Sequence, residues 1–206
     1  MLTLLRDLFW PVLEDWDSNE LAEIRNSNGD EVAEILSANF EGELTILVEE
    51  SRRMYDGEEE RRRTAEAKAT NLLIVAGALV PLLTYLMSNV QSLVIKSTVT
   101  YWIMPLIIIS GSYLVAVGFW SLRCIRVGGF HKIYTTDLVS LWNSEGNVAS
   151  SLAKKILKSV RLNQCLINDK ISALKMAHAF LFRLVISLGV LLISQFLIEF
   201  YSNIVF

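Results

Sequence analysis

Charge is missing from three long stretches of the chain. None occurs between Lys68 and Lys96, none between Lys96 and Arg123, and none between Arg183 and Glu199, after which the uncharged tail Phe200–Phe206 follows. A helix needs about 20 predominantly apolar residues to cross a ~30 Å hydrocarbon core. The first two stretches exceed that. The third meets it as Ala179–Tyr201 if Arg183 snorkels toward one headgroup layer and Glu199 lies near the other. The pattern predicts an all-α membrane protein with three transmembrane helices per chain and long cytosolic helical extensions. The competing reading, buried helices of a soluble core, requires most of these apolar residues to face protein.

Outside the spans the spacing of apolar residues is also helical. Leu2, Leu5, Leu8, Phe9, Val12, Leu13 and Trp16 approximate one face, which Pro11 would interrupt. NSNGD at 26–30 predicts a loop, with Asn28 or Asp30 capping a helix that starts near Glu31. LTILVEESRRMY after Gly42 predicts a helix, with a short strand at ELTILV as the alternative. From Val48 to Ser88 only Gly57, Gly77 and Pro81 oppose one continuous helix, with a Pro81 kink and close packing at Gly77 expected. Ser110–Gly111–Ser112 offers a similar small surface in the second span. In EEERRR, the pairs Glu58–Arg62, Glu59–Arg63 and Glu60–Arg63 fall at helical spacing and support a solvated stalk. VGG at 127–129 predicts a turn and HKIYTTDLVSLW a helix capped by Thr135, Thr136 or Asp137. After the loop NSEGN, one helix should run from Val148 into the third span. Its stripe Val148, Leu152, Ile156, Val160, Ile167, Ile171 and Leu174 is broken by Asn163, a residue type that can fix register between helices.

Charge orients the spans. Arg61, Arg62, Arg63 and Lys68 precede the first. Arg123, Arg126 and Lys132 follow the second, and six more cations precede the third, whereas the link between the first two carries only Lys96. The positive-inside rule puts the N-terminus in the cytoplasm and the C-terminus outside. MLTLLRDLFW has neither a long apolar core nor a cleavage site, so no signal peptide is expected. The chain then divides into an acidic cytosolic N-terminal region (1–50), a juxtamembrane helix and transmembrane hairpin (51–122), a basic cytosolic helical segment (123–178), and a third transmembrane helix with an outer C-terminus (179–206).

The net charge of −3 hides a strong asymmetry. Residues 1–60 hold 17 acidic and 4 basic side chains (−13), and residues 61–206 hold 5 and 15 (+10). The two regions should attract each other. Cys124 and Cys165 lie outside the spans and match no zinc spacing, so reduced thiols are expected. No phosphate-binding loop, GxSxG, HExxH or CxxC is present, and neither His131 nor His178 has a ligand-like setting. The sequence therefore predicts a non-enzyme without cofactor or metal.

Two sets of candidate site residues remain. Lys154, Lys155, Lys158 and Arg161, with Arg123, Arg126 and Lys132, form a basic set suited to phosphates, and Phe130 and Tyr134 lie near enough in sequence to stack a base. Attraction to anionic lipid and pairing with the acidic N-terminal region compete with that reading. Inside the spans, Thr84, Ser187, Ser194 and Gln195 are polar and Glu199 is ionisable. In lipid such groups face protein or water, so they are candidates to line a pore in a homo-oligomer.

EEERRRTAEAKATNLLIVAG, two closely spaced spans, and NQCLINDKISALKMAHAFLF leading into a third resemble small bacterial membrane effectors of anti-phage defence, the SLATT-type effectors and the membrane effector of the Hailong system. The resemblance covers roughly 52–200. It implies an oligomeric channel controlled by a nucleotide or oligonucleotide that a partner nucleotidyltransferase makes. The rival class is a non-conducting scaffold or sensor that brings a cytosolic partner to the bilayer.

Overall fold

In a computed structural model, residues 18–40, 42–94, 100–126, 128–143 and 146–205 are described, and among them every regular element is helical. The elements are α1 (Ser18–Ser37), α2 (Leu44–Val94), α3 (Thr100–Ile125), α4 (Thr135–Trp142) and α5 (Val148–Val205). The amphipathic segment expected over 2–16 lies outside the described residues.

The helices are long because little in the sequence stops them. α2 runs 51 residues and continues through Pro81, and α5 runs 58 residues. Glycine marks two of the turns between elements. Gly42, ahead of α2, has φ +118°, and Gly146, ahead of α5, has φ +135°, both disfavoured for any side chain with a Cβ. Asn147 then caps α5, its Oδ1 accepting from the backbone N–H of Ala149 at 3.1 Å and of Ser150 at 3.4 Å. Asp137 does the reciprocal job for α4, accepting from the Tyr134 N–H at 2.9 Å.

Three sequence expectations need correction. NSNGD is not a loop, because α1 passes through it. Asn28 donates to Cys165 Sγ at 3.0 Å and Glu31 pairs with Arg161, and these tertiary contacts outweigh a weak local preference. The helix expected after Gly42 does begin at Leu44, and the alternative strand at ELTILV does not form. Gly77 is not a close-packing point within the protomer: a Cβ there would meet nothing within 4 Å. In the EEERRR block, Glu59–Arg63 forms as expected, but Glu58 pairs with Arg61 and Glu59 also takes Arg62.

The chain forms two compact units. Of the described residues, one contains 67–94, 100–126 and 172–205, and the other 18–40, 42–66, 128–143 and 146–171. In the first unit, Leu83 and Leu86 of α2, Ile103, Ile107 and Val117 of α3, and Phe180, Leu184, Leu188 and Leu191 of α5 form the core. Gln195 of α5 meets the Leu86 carbonyl of α2. Ser110 meets Ser187 and Tyr113 meets Phe180, so α3 runs antiparallel to α5. Yet only 17%, 33% and 28% of the most apolar windows of these helices is buried. Ile74, Ile108, Val115, Phe182, Ile193 and Phe196 point outward. An apolar exterior on three helices of spanning length fits a bilayer and not water, and the chain is a transmembrane protein by length and composition.

The second unit packs α1, the first part of α2, α4 and the first part of α5. Small side chains at its centre, Ser51, Ala65, Ala153 and Ser159, let helices approach closely, with Ile156, Val160 and Ile167 beside them. Arg61 to Asn168 (3.3 Å) and Glu66 to Lys170 (2.9 Å) join α2 to α5 in parallel.

Candidate functional site

The basic face of α5 is engaged by acids and carbonyls of its own unit. Arg161 directs Nη2 to Glu31 Oε1 and Nε toward Oε2, each at 2.7 Å, and donates from Nη1 to Gln164 at 2.8 Å. On the edge that faces Glu31 only Nη2 makes a hydrogen bond, and Nε lies close to the carboxylate without being aligned for one. Lys154 donates to the Leu36 carbonyl at 2.9 Å, at the end of α1, and lies 5.8 Å from the Phe40 ring. A cation there also complements the carbonyl end of α1. Lys155 turns to Asp137 at 2.8 Å. That hydrogen bond, with the Tyr134 N–H second, holds the Asp137 carboxyl below its ordinary range. Lys158 is half-buried, with no ion pair among the described residues. Lys132 is exposed. Arg123, in the other unit, stacks 5.1 Å from the Trp120 ring, and Arg126 is exposed.

Phe130 does not stand free to stack a base. It lies 6.2 Å edge-on to Tyr55, with the Arg62 guanidinium 4.7 Å from its centroid. Arg62 in turn bonds Glu59 at 2.7 Å, and this bond first of all holds the Glu59 carboxyl low. Burial, followed by the Glu59 charge, raises the Tyr55 phenol. Tyr134, by contrast, is 62% exposed.

Asn163, fully buried, completes this unit. Its Oδ1 accepts from the His131 N–H at 2.8 Å and its Nδ2 donates to the His131 carbonyl at 3.0 Å. The partner is backbone ahead of α4, where the sequence suggested a neighbouring helix.

In the apolar unit the candidate pore residues are dispersed. Gln195 is buried, its Nε2 bonded to Leu86 O at 3.0 Å. Ser187 is buried against Ser110 at 2.9 Å. Thr84 is exposed and Ser194 half-buried, each donating to the carbonyl one turn earlier, Val80 and Val190. The side chain of Glu199 lies outside the described residues. Within one protomer these groups do not converge on a common channel wall.

Two features went unseen in the sequence. Glu31 is the specific partner of Arg161, and charge asymmetry pointed only to its region. A groove of about 570 Å³, lined by Val48, Arg52, Trp142 and Leu152 among others, adjoins an α4 whose Leu138, Val139 and Trp142 are exposed. Helical spacing foretold α4 but not which face would stay uncovered. Among the described residues no cluster of His, Cys, Asp and Glu suits a metal. No family model, curated protein or solved structure matches the chain.

Proposed function

We propose that the chain is the subunit of an oligomeric membrane channel of anti-phage defence, held closed by α1 and switched by a phosphate-bearing nucleotide or oligonucleotide. The observation that carries this reading is the Glu31–Arg161 pair. A guanidinium edge held by a carboxylate is a seat for an oxyanion, and α1 supplies an internal one. A phosphate ligand made by a partner nucleotidyltransferase would compete with Glu31 and bring Lys158 with it. Such a ligand acts only through a difference in affinity between two states. The internal bonding of Gln195 and Ser187 describes the closed protomer, and conduction would require oligomerisation and turning of the spans. The N-terminus and the charged helices face the cytoplasm in this reading, and opening depolarises the inner membrane.

The second reading is a non-conducting scaffold or sensor. The same burial of Gln195 and Ser187 favours it, as does the exposed apolar face of α4 as a partner surface.

A voltage-sensitive dye in bacteria expressing the full chain separates the two. Glu31→Gln, which frees Arg161, should collapse the membrane potential, and Gln195→Leu added to it should change the extent. A potential unmoved by Glu31→Gln, together with no binding of a short oligonucleotide to the purified chain, would leave the scaffold. Oligonucleotide binding that survives charge reversal at Lys154, Lys158 and Arg161 would remove the basic face from the mechanism.

A further inference from the structure

We propose that a groove between α3 and α5 in the apolar unit holds one acyl chain of an anionic phospholipid, with the lipid phosphate at Arg183. The groove measures about 390 Å³ and is walled by Leu106, Ile109, Tyr113, Phe182, Ile186 and Val190, with Arg183 and Ser187 also on its lining. Arg183 is the only cation between Lys175 and the end of the chain.

The direction of that cation selects the occupant. Arg183 Nη1 donates to the Ala179 carbonyl at 2.9 Å, one turn back along the helix. The guanidinium therefore reaches toward the N-terminal end of the span, the level at which a headgroup sits. Phe182 lies beside Arg183 in sequence, and Ile186 and Val190 follow it at steps of four, so the apolar wall reaches about 10 Å past the cation into the span. The antiparallel α3 supplies Tyr113, Ile109 and Leu106 in the same direction. A phosphate above an apolar slot is the outline of a phospholipid, and a basic pocket between membrane helices is suited to anionic headgroups. A second copy fits less well. None of the three uncharged stretches offers a carboxylate to meet Arg183.

The test is native mass spectrometry of the full chain released from micelles doped with phosphatidylglycerol or phosphatidylcholine of identical acyl chains. The wild type should retain phosphatidylglycerol about tenfold better, because the choline cation of phosphatidylcholine cancels the phosphate charge that Arg183 attracts. Arg183→Gln should erase the preference, and Ile186→Trp, which fills the slot and keeps the charge, should lower retention of both lipids. Lys175→Gln, an exposed cation on the same helix outside the groove, should change neither. Equal retention of the two lipids by the wild type overturns the proposal. So does a preference that survives both groove variants, or a change of oligomeric state in Ile186→Trp with lipid retention intact, which would assign the groove to a second copy.

Discussion

Asn163 and Glu59 show how much a single side chain can hold. Asn163 satisfies both backbone groups of His131, so Asn163→Leu leaves a donor and an acceptor without partners in a part-buried setting. The expected cost is about 2 kcal/mol, read as a lower denaturation midpoint in micelles. A midpoint within error of wild type would mean that water replaces the amide. Its place in an apolar stripe was legible. Its partner was not, because a backbone segment more than 30 positions away in sequence leaves no trace in the helix that receives it. Glu59 makes a pH prediction. Its carboxyl is held low by the Arg62 hydrogen bond, so the folded state binds fewer protons there than the unfolded chain does. That stabilisation is complete above the unfolded value of about 4.3 and is lost as the pH falls through the folded value. Protection factors for hydrogen exchange across Tyr55–Glu66 should drop on acidification below about pH 4, and Glu59→Gln should flatten the dependence.

At the scale of elements, α1 and the turn after it give opposite signs for one substitution. Gly29 lies inside α1, and a methyl group added there would meet nothing within 4 Å, so Gly29→Ala should stabilise by about 0.5–1 kcal/mol. Gly42 has φ +118°, so Gly42→Ala should destabilise by about 1 kcal/mol or more. Denaturant titration of the two variants checks both. Loss of stability with Gly29→Ala would argue that NSNGD is a loop after all. The long helices α2 and α5 were legible because helical spacing persists across charged and apolar stretches alike. The path of α1 was not, since Asn, Ser and Gly favour loops locally and only contacts with α5 hold the segment helical.

For the whole molecule, the outward apolar faces set the strongest expectation. Ile193 is 63% exposed on a spanning helix. Ile193→Asp should make insertion of the third span less favourable by about 3 kcal/mol in a translocon assay, and unchanged insertion would count against a bilayer on that face. By itself the sequence determined the helical class, the three spans, the loops at Gly42 and Gly146 and the opposed charges of the two regions. Those properties are written in local periodicity, glycine placement and uninterrupted apolar length, and each is readable within a window of one element. Only the tertiary structure decided that Glu31 takes Arg161, that Asn163 holds His131, that Gln195 turns inward to Leu86, and that a slot opens beside Arg183. Each of these joins residues far apart in the chain. A side chain's partner there depends on which helix faces are brought together, and many pairings of faces satisfy the same periodic pattern.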